Sequence, residues 1–357
     1  MVPMRFSAGL RPLASSAVRS AFLATFLAAG LFCASLAGPA FAQAADPLPS
    51  WNPGATRSAI LDFVKATTTP GGPDFVAPAD RIATFDQDGT LWVEQPVYTE
   101  VAFAASRIKA LAESNPSLKT EEPFRTAVSG DEAAMGKLSF PDLKKILMVA
   151  LEGLTVEEFR AAAEAWMATA RNPVLNRPRA ELTYQPMKEV LELLRANGFR
   201  TYIVTGGGQE MVRTYSDRLY GIPPEQVVGT PDAVRFGYDA SGRPVLRMEP
   251  SVLFEDLFGG KPEGIHLVIG KRPTAAFGNS TGDRQMLEYA KAGKGLRFAA
   301  LVLHDDGKRE FAYGPAQGLP ASDVGTFTQK LYDEAKARGW SVISMKDDWK
   351  KVFAFEP

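Results

Sequence analysis

The sequence predicts an α/β protein in which a doubly wound parallel sheet is interrupted by an inserted α-helical cap. Two observations lead to this fold class. Short apolar segments alternate with amphipathic helical segments over residues 186–344, whereas residues 97–185 show almost only helical patterns. Polar residues directly follow several of the apolar segments, as expected where parallel strands end at one edge of a sheet.

The first predicted core elements are a helix and a buried strand. Residues 58–67 carry apolar side chains at helical spacing. Residues 82–85 form a short apolar run that ends abruptly at Asp86, a pattern typical of a parallel strand that is buried on both faces.

A helical insertion follows this strand. Within residues 97–185, Thr155 and Glu158 have the spacing of a capping box, which marks the start of a long helix. We therefore expect a helical cap at 97–185 and an α/β core composed of residues 43–96 and 186–357.

After residue 185, strand and helix patterns alternate again. Gly198 ends the first helix, and Ser241-Gly242-Arg243 has the composition of a hairpin turn. We expect helices at 186–197, through 211–219, at 283–292 and at 327–338, strands at 199–204, 274–277, 298–303 and 341–344, and a hairpin at 236–248.

The first 42 residues have the pattern of a secretory signal peptide. Three arginines precede an apolar stretch at 21–37, and Ala40-Phe41-Ala42 has the small-x-small form of a cleavage site. A transmembrane anchor fits less well, because the apolar stretch is short and small residues follow it directly. We therefore expect a periplasmic or secreted protein that has no stable membrane anchor after cleavage.

Composition restricts the chemistry that the mature protein can use. The net charge is −1 and no long basic run is present, which argues against nucleic-acid binding. Cleavage after Ala42 would remove Cys33, the only cysteine, so neither a disulfide nor a cysteine nucleophile is expected. His266 and His304 are the only histidines, and we interpret His304-Asp305-Asp306 as a polar turn.

The strongest chemical signal is a pair of carboxylates after the first predicted strand. Asp86 and Asp88 are two residues apart, so an extended chain places both on one side, and Gly89 permits a sharp turn beyond them. Such a pair suits nucleophilic attack by one carboxylate and proton transfer by the other. A calcium loop is excluded, because Leu91 and Val97 stand where it needs Gly and Glu. A solvated Asp-rich turn remains the alternative for this motif alone.

Two glycine-containing segments could bind phosphate. Thr205 and Gly206 follow the strand predicted at 199–204, so a hydroxyl and unobstructed amides meet ahead of a helix. Lys261 lies beside two glycines and could neutralise phosphate charge, although Pro262 rules out a Walker P-loop. Each segment alone has an ordinary explanation: a conformational turn for the first and a solvent-facing lysine for the second.

A further strand end carries Asn279 and Asp283, whose side-chain oxygens are of the kind that Mg²⁺ prefers. The alternative is an ordinary helix N-terminus with Asp283 near the cap.

In this order, the four motifs resemble those of the haloacid dehalogenase-like hydrolases. The resemblance spans roughly residues 81–290, and the helical block at 97–185 resembles the family's cap of the first type. The unit at 184–208 is most similar to the phosphoserine phosphatase-like branch. The resemblance implies a Rossmann-like core and the hydrolysis of a small phosphomonoester.

The resemblance also implies a role for each motif. Asp86 would be phosphorylated, and Asp88 would act first as general acid and then as general base. The phosphoryl group would be held by Thr205, Gly206 and Lys261. The implied cofactor is Mg²⁺, bound through Asp86, Asp88, Asn279 and Asp283.

Three positions refine the expected function. Asp88 favours a phosphatase over a dehalogenase, because a halide leaves without a proton. Asn279 stands where the family usually has Asp, so Asp283 would supply more of the charge at the metal. Gln95 stands where phosphoserine phosphatases carry a substrate-reading Glu, with Glu94 beside it. The substrate could therefore be phosphoserine-like, phosphocholine-like or another small phosphomonoester.

Trp92, Tyr98 and Trp166 lie in or near the predicted cap and could face a substrate cation, with packing between cap helices as the alternative. The rival function for the whole chain is a periplasmic solute-binding protein without catalysis, which would not need Asp86 and Asp88 paired beside a phosphate site.

Overall fold

A six-stranded parallel sheet forms the centre of the structure, a computed structural model that describes residues 46–357. The predicted signal peptide and its cleavage site, residues 1–42, lie outside the described residues. The strands of the described chain are β1 (Ile82–Phe85), β2 (Arg200–Gly208), β3 (Val227–Thr230), β4 (Asp232–Tyr238), β5 (Pro244–Val252), β6 (Ala275–Gly278), β7 (Phe298–Leu303) and β8 (Ser341–Ser344).

The strand order in the sheet is β3-β2-β1-β6-β7-β8, and all neighbouring strands are parallel. The chain first builds outward from β1 through β2 to β3, then returns to the other side of β1 with β6. This reversal between β1 and β6 is the switch point of a doubly wound sheet. Strands β4 and β5 form a separate antiparallel hairpin.

The helices between and around these strands are α1 (Ala55–Thr68), α2 (Thr99–Leu111), α3 (Phe124–Ser129), α4 (Glu132–Met135), α5 (Phe140–Leu151), α6 (Val156–Met167), α7 (Gln185–Ala196), α8 (Gln209–Arg213), α9 (Ser216–Tyr220), α10 (Gly260–Gly264), α11 (Arg284–Lys291), α12 (Gln329–Ala337) and α13 (Met345–Asp348). Within residues 46–357, none of these helices combines the length and apolar character that crossing a membrane requires.

Apolar side chains cover both faces of the sheet. Ile203 joins one hydrophobic cluster and the next residue, Val204, joins another, because successive side chains of a strand alternate between faces. On the first face, the rings of Phe85 and Phe277 stack with centroids 4.5 Å apart. Strands β1, β6 and β7 are buried along their whole length. The predicted fold class, a doubly wound α/β sheet, is confirmed.

Helices α2–α6 occupy the stretch between β1 and α7, and the described residues 97–185 contain no strand. Helices α2 and α5 pack through Ile108 and Ile146 in a hydrophobic cluster of their own. Helix α6 instead places Phe159 and Met167 in the cluster that covers one face of the sheet. The helical character expected of this insertion is therefore confirmed, whereas its boundaries as a domain stay a prediction.

The strand signals were reliable where the apolar run was uninterrupted. Strands β1, β7 and β8 have the predicted bounds, and the hairpin turn lies at the predicted residues. Strand β3 was missed, because it is only four residues long and includes Gly229. The helix expected through 211–219 is divided at Thr214 and Tyr215 into α8 and α9.

The capping box predicted at the start of α6 is confirmed. Thr155 Oγ1 accepts a hydrogen bond from Glu158 N at 3.1 Å, and Glu158 Oε2 accepts one from Thr155 N at 2.8 Å. Two N–H groups that the helix cannot satisfy internally thus find partners.

The substitution Thr155→Ala removes one of these acceptors and should lower the free energy of unfolding by about 1 kcal/mol. Urea denaturation of the two proteins at one pH measures this difference. The control is Thr169→Ala just beyond the end of α6, where an exposed hydroxyl donates to Trp166 O. An equal loss in both variants would contradict a specific contribution from the cap.

Candidate active site

The predicted site residues meet at the carboxyl ends of β1, β2 and β6. Asp86 directly follows β1, Thr205 lies in the last part of β2, and Asn279 directly follows β6. These strands are neighbours on the two sides of the switch point, where the loops diverge and leave a crevice. The topology therefore brings together residues that are about 200 positions apart in the chain.

Lys261 is the centre of this group. Its Nζ donates hydrogen bonds to Asp86 Oδ1 at 2.7 Å, to Asp283 Oδ1 at 2.5 Å and to Val204 O at 3.0 Å. The side chain is 2% exposed, so the solvent-facing interpretation of this lysine is wrong. Burial alone would lower the pKa of Lys261, but the charges of Asp283 and Asp86 outweigh burial and raise it above its usual range.

Asp283 is fully engaged by the protein itself. While Oδ1 accepts from Lys261, Oδ2 accepts from Asn279 N at 2.9 Å and from Ser280 N at 3.0 Å. Ser280 and Asp283 form a capping box ahead of α11, as the helix-cap alternative anticipated. Gly278 permits this packing, because a Cβ there would lie 2.5 Å from the Asp283 side chain. Asp283 thus positions Lys261 and the Asn279 turn.

Asp86 and Asp88 both line a chamber above the sheet edge. Burial and the charge of Asp283 raise the pKa of Asp86, and Lys261 opposes this rise. Asp88 Oδ1 accepts a hydrogen bond from Trp92 Nε1 at 2.8 Å, and burial raises the pKa of Asp88 to about 6. A carboxyl with this pKa can both donate and accept a proton near neutral pH.

Asn279 is oriented by two residues whose part in the site the sequence did not reveal. Its Nδ2 donates to Glu94 Oε1 at 2.7 Å, and Tyr313 OH donates to the same oxygen at 2.7 Å. Asn279 Oδ1 accepts from Thr90 Oγ1 at 3.4 Å. Glu94 was considered only as a substrate reader, and Tyr313 carries no sequence signal at all.

The turn after Val204 presents backbone amides and a hydroxyl. Thr205 Oγ1 accepts from Gly207 N at 3.1 Å, which leaves its own hydrogen free to donate, and Gly206 lines the chamber beside it. Gly208 N donates to Glu100 Oε2 at 2.7 Å. Glu100 belongs to α2, so this bond ties the insertion to the end of β2. A Cβ on Gly208 would lie 2.1 Å from Glu100 Oε1, so a larger residue there would displace this carboxylate.

Two other candidates lie beside the site without lining the chamber. Gln95 Nε2 donates to Ser322 Oγ at 2.9 Å and to Val324 O at 3.0 Å, which turns its amide toward the protein. His304 Nε2 lies 2.8 Å from Gly89 O, so the imidazole holds the turn that follows Asp88. The polar-turn interpretation of residues 304–306 missed this contact.

Of the three aromatic candidates, two pack against other aromatic residues and one lines the chamber. Trp92 lies against Tyr215 with ring centroids 4.6 Å apart, and Trp166 packs against Phe103 at 5.5 Å. Tyr98 lines the chamber, and its OH accepts from Gly325 N at 3.3 Å. Packing between cap helices thus describes Trp166, whereas Trp92 packs against a tyrosine of the core and donates to Asp88.

A family comparison agrees with this geometry. The sequence model of the family described as haloacid dehalogenase-like hydrolase matches residues 83–288. The chain belongs to this family. The matched segment runs from β1 through α11 and contains all the predicted catalytic, phosphate-binding and metal-binding residues. No curated protein sequence matches the chain.

Among solved structures, the haloacid dehalogenase-like chain is similar to a protein of unknown function from Bordetella pertussis Tohama I, with 18% identity and a TM-score of 0.46 over 74% of this chain and 97% of that one. It is also similar to a phosphoserine phosphohydrolase-like protein from Francisella tularensis subsp. tularensis SCHU S4, with 17% identity and a TM-score of 0.35 over 63% and 88% of the two chains. A probable phosphoserine phosphatase from Vibrio cholerae has 13% identity and a TM-score of 0.35 over 64% and 58%.

The donor set of this haloacid dehalogenase-like site fits a hard divalent cation. The carboxyl groups of Asp86, Asp88, Glu94 and Asp283 outnumber the single ammonium of Lys261, so a cation bound among them would stabilise their ionised forms. Among residues 46–357, no group of three or more His, Cys, Asp or Glu side chains is arranged to hold a metal. Mg²⁺ commonly uses only one or two carboxylates together with water and phosphate oxygens, so the donors are compatible with it.

Asp256 is a buried carboxyl beside this site that the sequence did not single out. Neither of its carboxylate oxygens has a hydrogen-bond partner among the described residues. Burial raises the pKa of Asp256 to about 8, although the charge of Lys261 opposes the shift. The folded protein therefore holds a proton on Asp256 at pH values where the unfolded chain has released it.

This linkage predicts that the Asp256 carboxyl makes the fold less stable as the pH rises from about 4 to about 8, because the folded state binds the extra proton. Asp256→Asn cannot lose a proton, so its stability relative to the native protein should increase by up to about 1.4 kcal/mol per pH unit in this range. Denaturant titrations at several pH values measure the difference. The exposed Asp62→Asn serves as control, and a pH-independent difference for Asp256→Asn would contradict the prediction.

Proposed function

We propose that the protein is an exported, Mg²⁺-dependent phosphomonoester hydrolase that works through an aspartyl-phosphate intermediate. The observation that carries the proposal is the position of Lys261, whose ammonium joins Asp86 to Asp283 at the floor of a chamber that Asp88 and Thr205 also line. A nucleophile, a proton donor and phosphate-binding groups thus share one crevice.

In the first half of the reaction, a free carboxylate oxygen of Asp86 attacks phosphorus. The bond from phosphorus to the substrate's ester oxygen breaks, and Asp88 gives its proton to that oxygen, so the alcohol leaves neutral. Lys261 and the Thr205 hydroxyl stabilise the charge on the phosphoryl oxygens, which is the main requirement of phosphoryl transfer. The products of this step are the alcohol and a phosphorylated Asp86.

In the second half, Asp88 accepts a proton from water as the water oxygen attacks phosphorus. The bond between phosphorus and Asp86 breaks, and inorganic phosphate leaves. Asp86 returns as a carboxylate and Asp88 regains its proton, so the protein ends as it began. The hydrogen bond from Trp92 fixes the carboxyl of Asp88 in the chamber for both proton transfers.

Mg²⁺ would be held by Asp86, the Asp88 carbonyl and Asn279, with Glu94 and Tyr313 orienting the Asn279 amide. When bound, it would neutralise part of the phosphoryl charge and align the phosphate with Asp86. Asp283, whose two oxygens are already engaged, would act through Lys261 and the Asn279 backbone.

Replacing Asp86 by Asn should lower kcat for p-nitrophenyl phosphate in Mg²⁺ by at least about a thousandfold, because the amide is a poor nucleophile. The variant should remain folded by circular dichroism, and Asp62→Asn should keep full activity. A chelator should abolish the turnover of the native protein, and added Mg²⁺ should restore it. Full activity of Asp86→Asn would reject the assigned nucleophile. High-affinity ligand binding without any turnover would instead support a solute-binding protein.

The leaving group tests Asp88 within the same experiment. p-Nitrophenolate leaves without a proton, whereas an alkoxide needs one. Asp88→Asn should therefore impair hydrolysis of ethyl phosphate more than that of p-nitrophenyl phosphate. Equal losses for the two substrates would contradict a general-acid role in the first step.

Export is the part of the proposal that rests on residues 1–42 alone. Expression of the full chain in a Gram-negative host should give a mature protein in the periplasmic fraction whose first residue is Gln43. Mass spectrometry of the fractions measures this mass, and Ala42→Lys should leave an uncleaved precursor. A full-length native chain in the cytoplasmic fraction would contradict export.

A further inference from the structure

Helix α5 carries apolar side chains on two faces, although it lies in the surface insertion. Ile146 and Ala150 on one face are fully buried in the helical cluster. Phe140 and, two helical turns later, Leu147 and Met148 face the chamber above Asp86. A helix that only covered a core would carry mainly polar residues on this second face, whereas Lys144 is the one charged residue among those that α5 contributes to the lining.

Apolar side chains from outside the helical insertion also line the chamber. Val252 at the end of β5 and Leu257 and Phe258 in the loop before Lys261 line it. Phe258 is 49% exposed and has a φ of 53°, a conformation that is strained for a bulky side chain. The local fold thus holds a large aromatic ring at the chamber, where strain of this kind often accompanies ligand binding.

Some of the charged residues around the chamber form ion pairs. Lys144 Nζ lies 2.6 Å from Glu255 Oε1, and Glu249 pairs with Arg235 outside the chamber. Lys137 and Asp323 add one charge of each sign to the lining. On the floor, Glu94 bonds to Asn279 and Tyr313, and Gln95 lies outside the lining. Asp232 and Glu100 add two further carboxyl groups, so charged residues border the apolar surface of the chamber.

The chamber is larger than a phosphoryl group needs. Its volume is about 780 Å³, within the range of pockets that enclose a drug-sized molecule. The catalytic carboxyl groups and Lys261 lie on the floor, formed by the sheet edge, whereas the walls above combine apolar side chains with charged residues such as Lys137 and Asp323. A substrate that matched this division would have a phosphate at one end and an apolar body at the other.

Resting on the function proposed above, we propose that the substrate is a phosphomonoester of a hydrophobic alcohol, whose apolar group lies between α5 and Phe258. Burial of each methylene against these walls contributes to binding energy. The charged ends of phosphoserine would instead lose solvation against the same apolar surface.

The test is a series of n-alkyl phosphates from ethyl through butyl and hexyl to octyl, each below its micellar concentration. The leaving alcohols have similar basicity, so the chemical step stays constant while the apolar contact grows. We expect kcat/KM of the native protein to rise by about two- to fourfold per methylene until the chamber is filled. Phosphoserine should give a lower kcat/KM than octyl phosphate.

Two variants locate the effect. Met148→Gln and Phe258→Ser each replace an apolar wall residue by a polar one and should flatten the dependence of kcat/KM on chain length. Leu267→Gln is the matched control, because Leu267 is 71% exposed and does not line the chamber. It should leave the whole series unchanged. Circular dichroism of each variant confirms that it is folded.

Equal kcat/KM for ethyl and octyl phosphate, or faster hydrolysis of phosphoserine than of octyl phosphate, would overturn the inference and leave the phosphatase proposal intact. A chain-length dependence that both wall variants retain in full would also overturn it. If the protein hydrolysed neither p-nitrophenyl phosphate nor a single alkyl phosphate of the series, the proposed function itself would be rejected.

Discussion

The buried ammonium of Lys261, held between Asp86 and Asp283, is the interaction on which the site depends. It joins the end of β1, helix α10 and the turn before α11, three elements that are separate in the sequence. Desolvating these charges costs several kcal/mol per ion, and mutual pairing offsets that cost only if the geometry is good. Removing the lysine would leave two buried carboxylates facing each other. Lys261 is therefore needed both for the stability of the fold and for the position of the nucleophile.

The same cluster accounts for the raised pKa values of the carboxyl groups in the site. Asp88 and Glu94 add two more carboxyls to this low-dielectric corner, and burial raises the pKa of both. A purely structural core would avoid such a concentration of like charge, since it weakens the fold. Its presence at a strand edge that opens into a chamber is understandable if a cation and a phosphoryl group interact with these carboxyls during catalysis.

The sequence predicted the parts of the site that depend on local spacing. The interval between Asp86 and Asp88 and the uninterrupted apolar run of β1 carried enough information, and the four motifs identified the family. Lys261 was a weak signal by itself, because its burial results from tertiary packing that no local pattern encodes. Tyr313 was beyond prediction for the same reason: its bond to Glu94 joins residues 219 positions apart. Strand β3 was not predicted, because a run of four residues that includes a glycine is too short to show a strand pattern.

Different parts of the chain form the catalytic floor of the chamber and its walls. The groups proposed to act on the phosphoryl group come from the sheet edge and from helix α10, whereas α5 and the β4–β5 hairpin contribute to the walls. Glu100 couples the two parts, since its bond to Gly208 N fixes α2 against the phosphate-binding turn. We therefore attribute the apolar face of α5 to the proposed recognition of the substrate and not to the reaction chemistry.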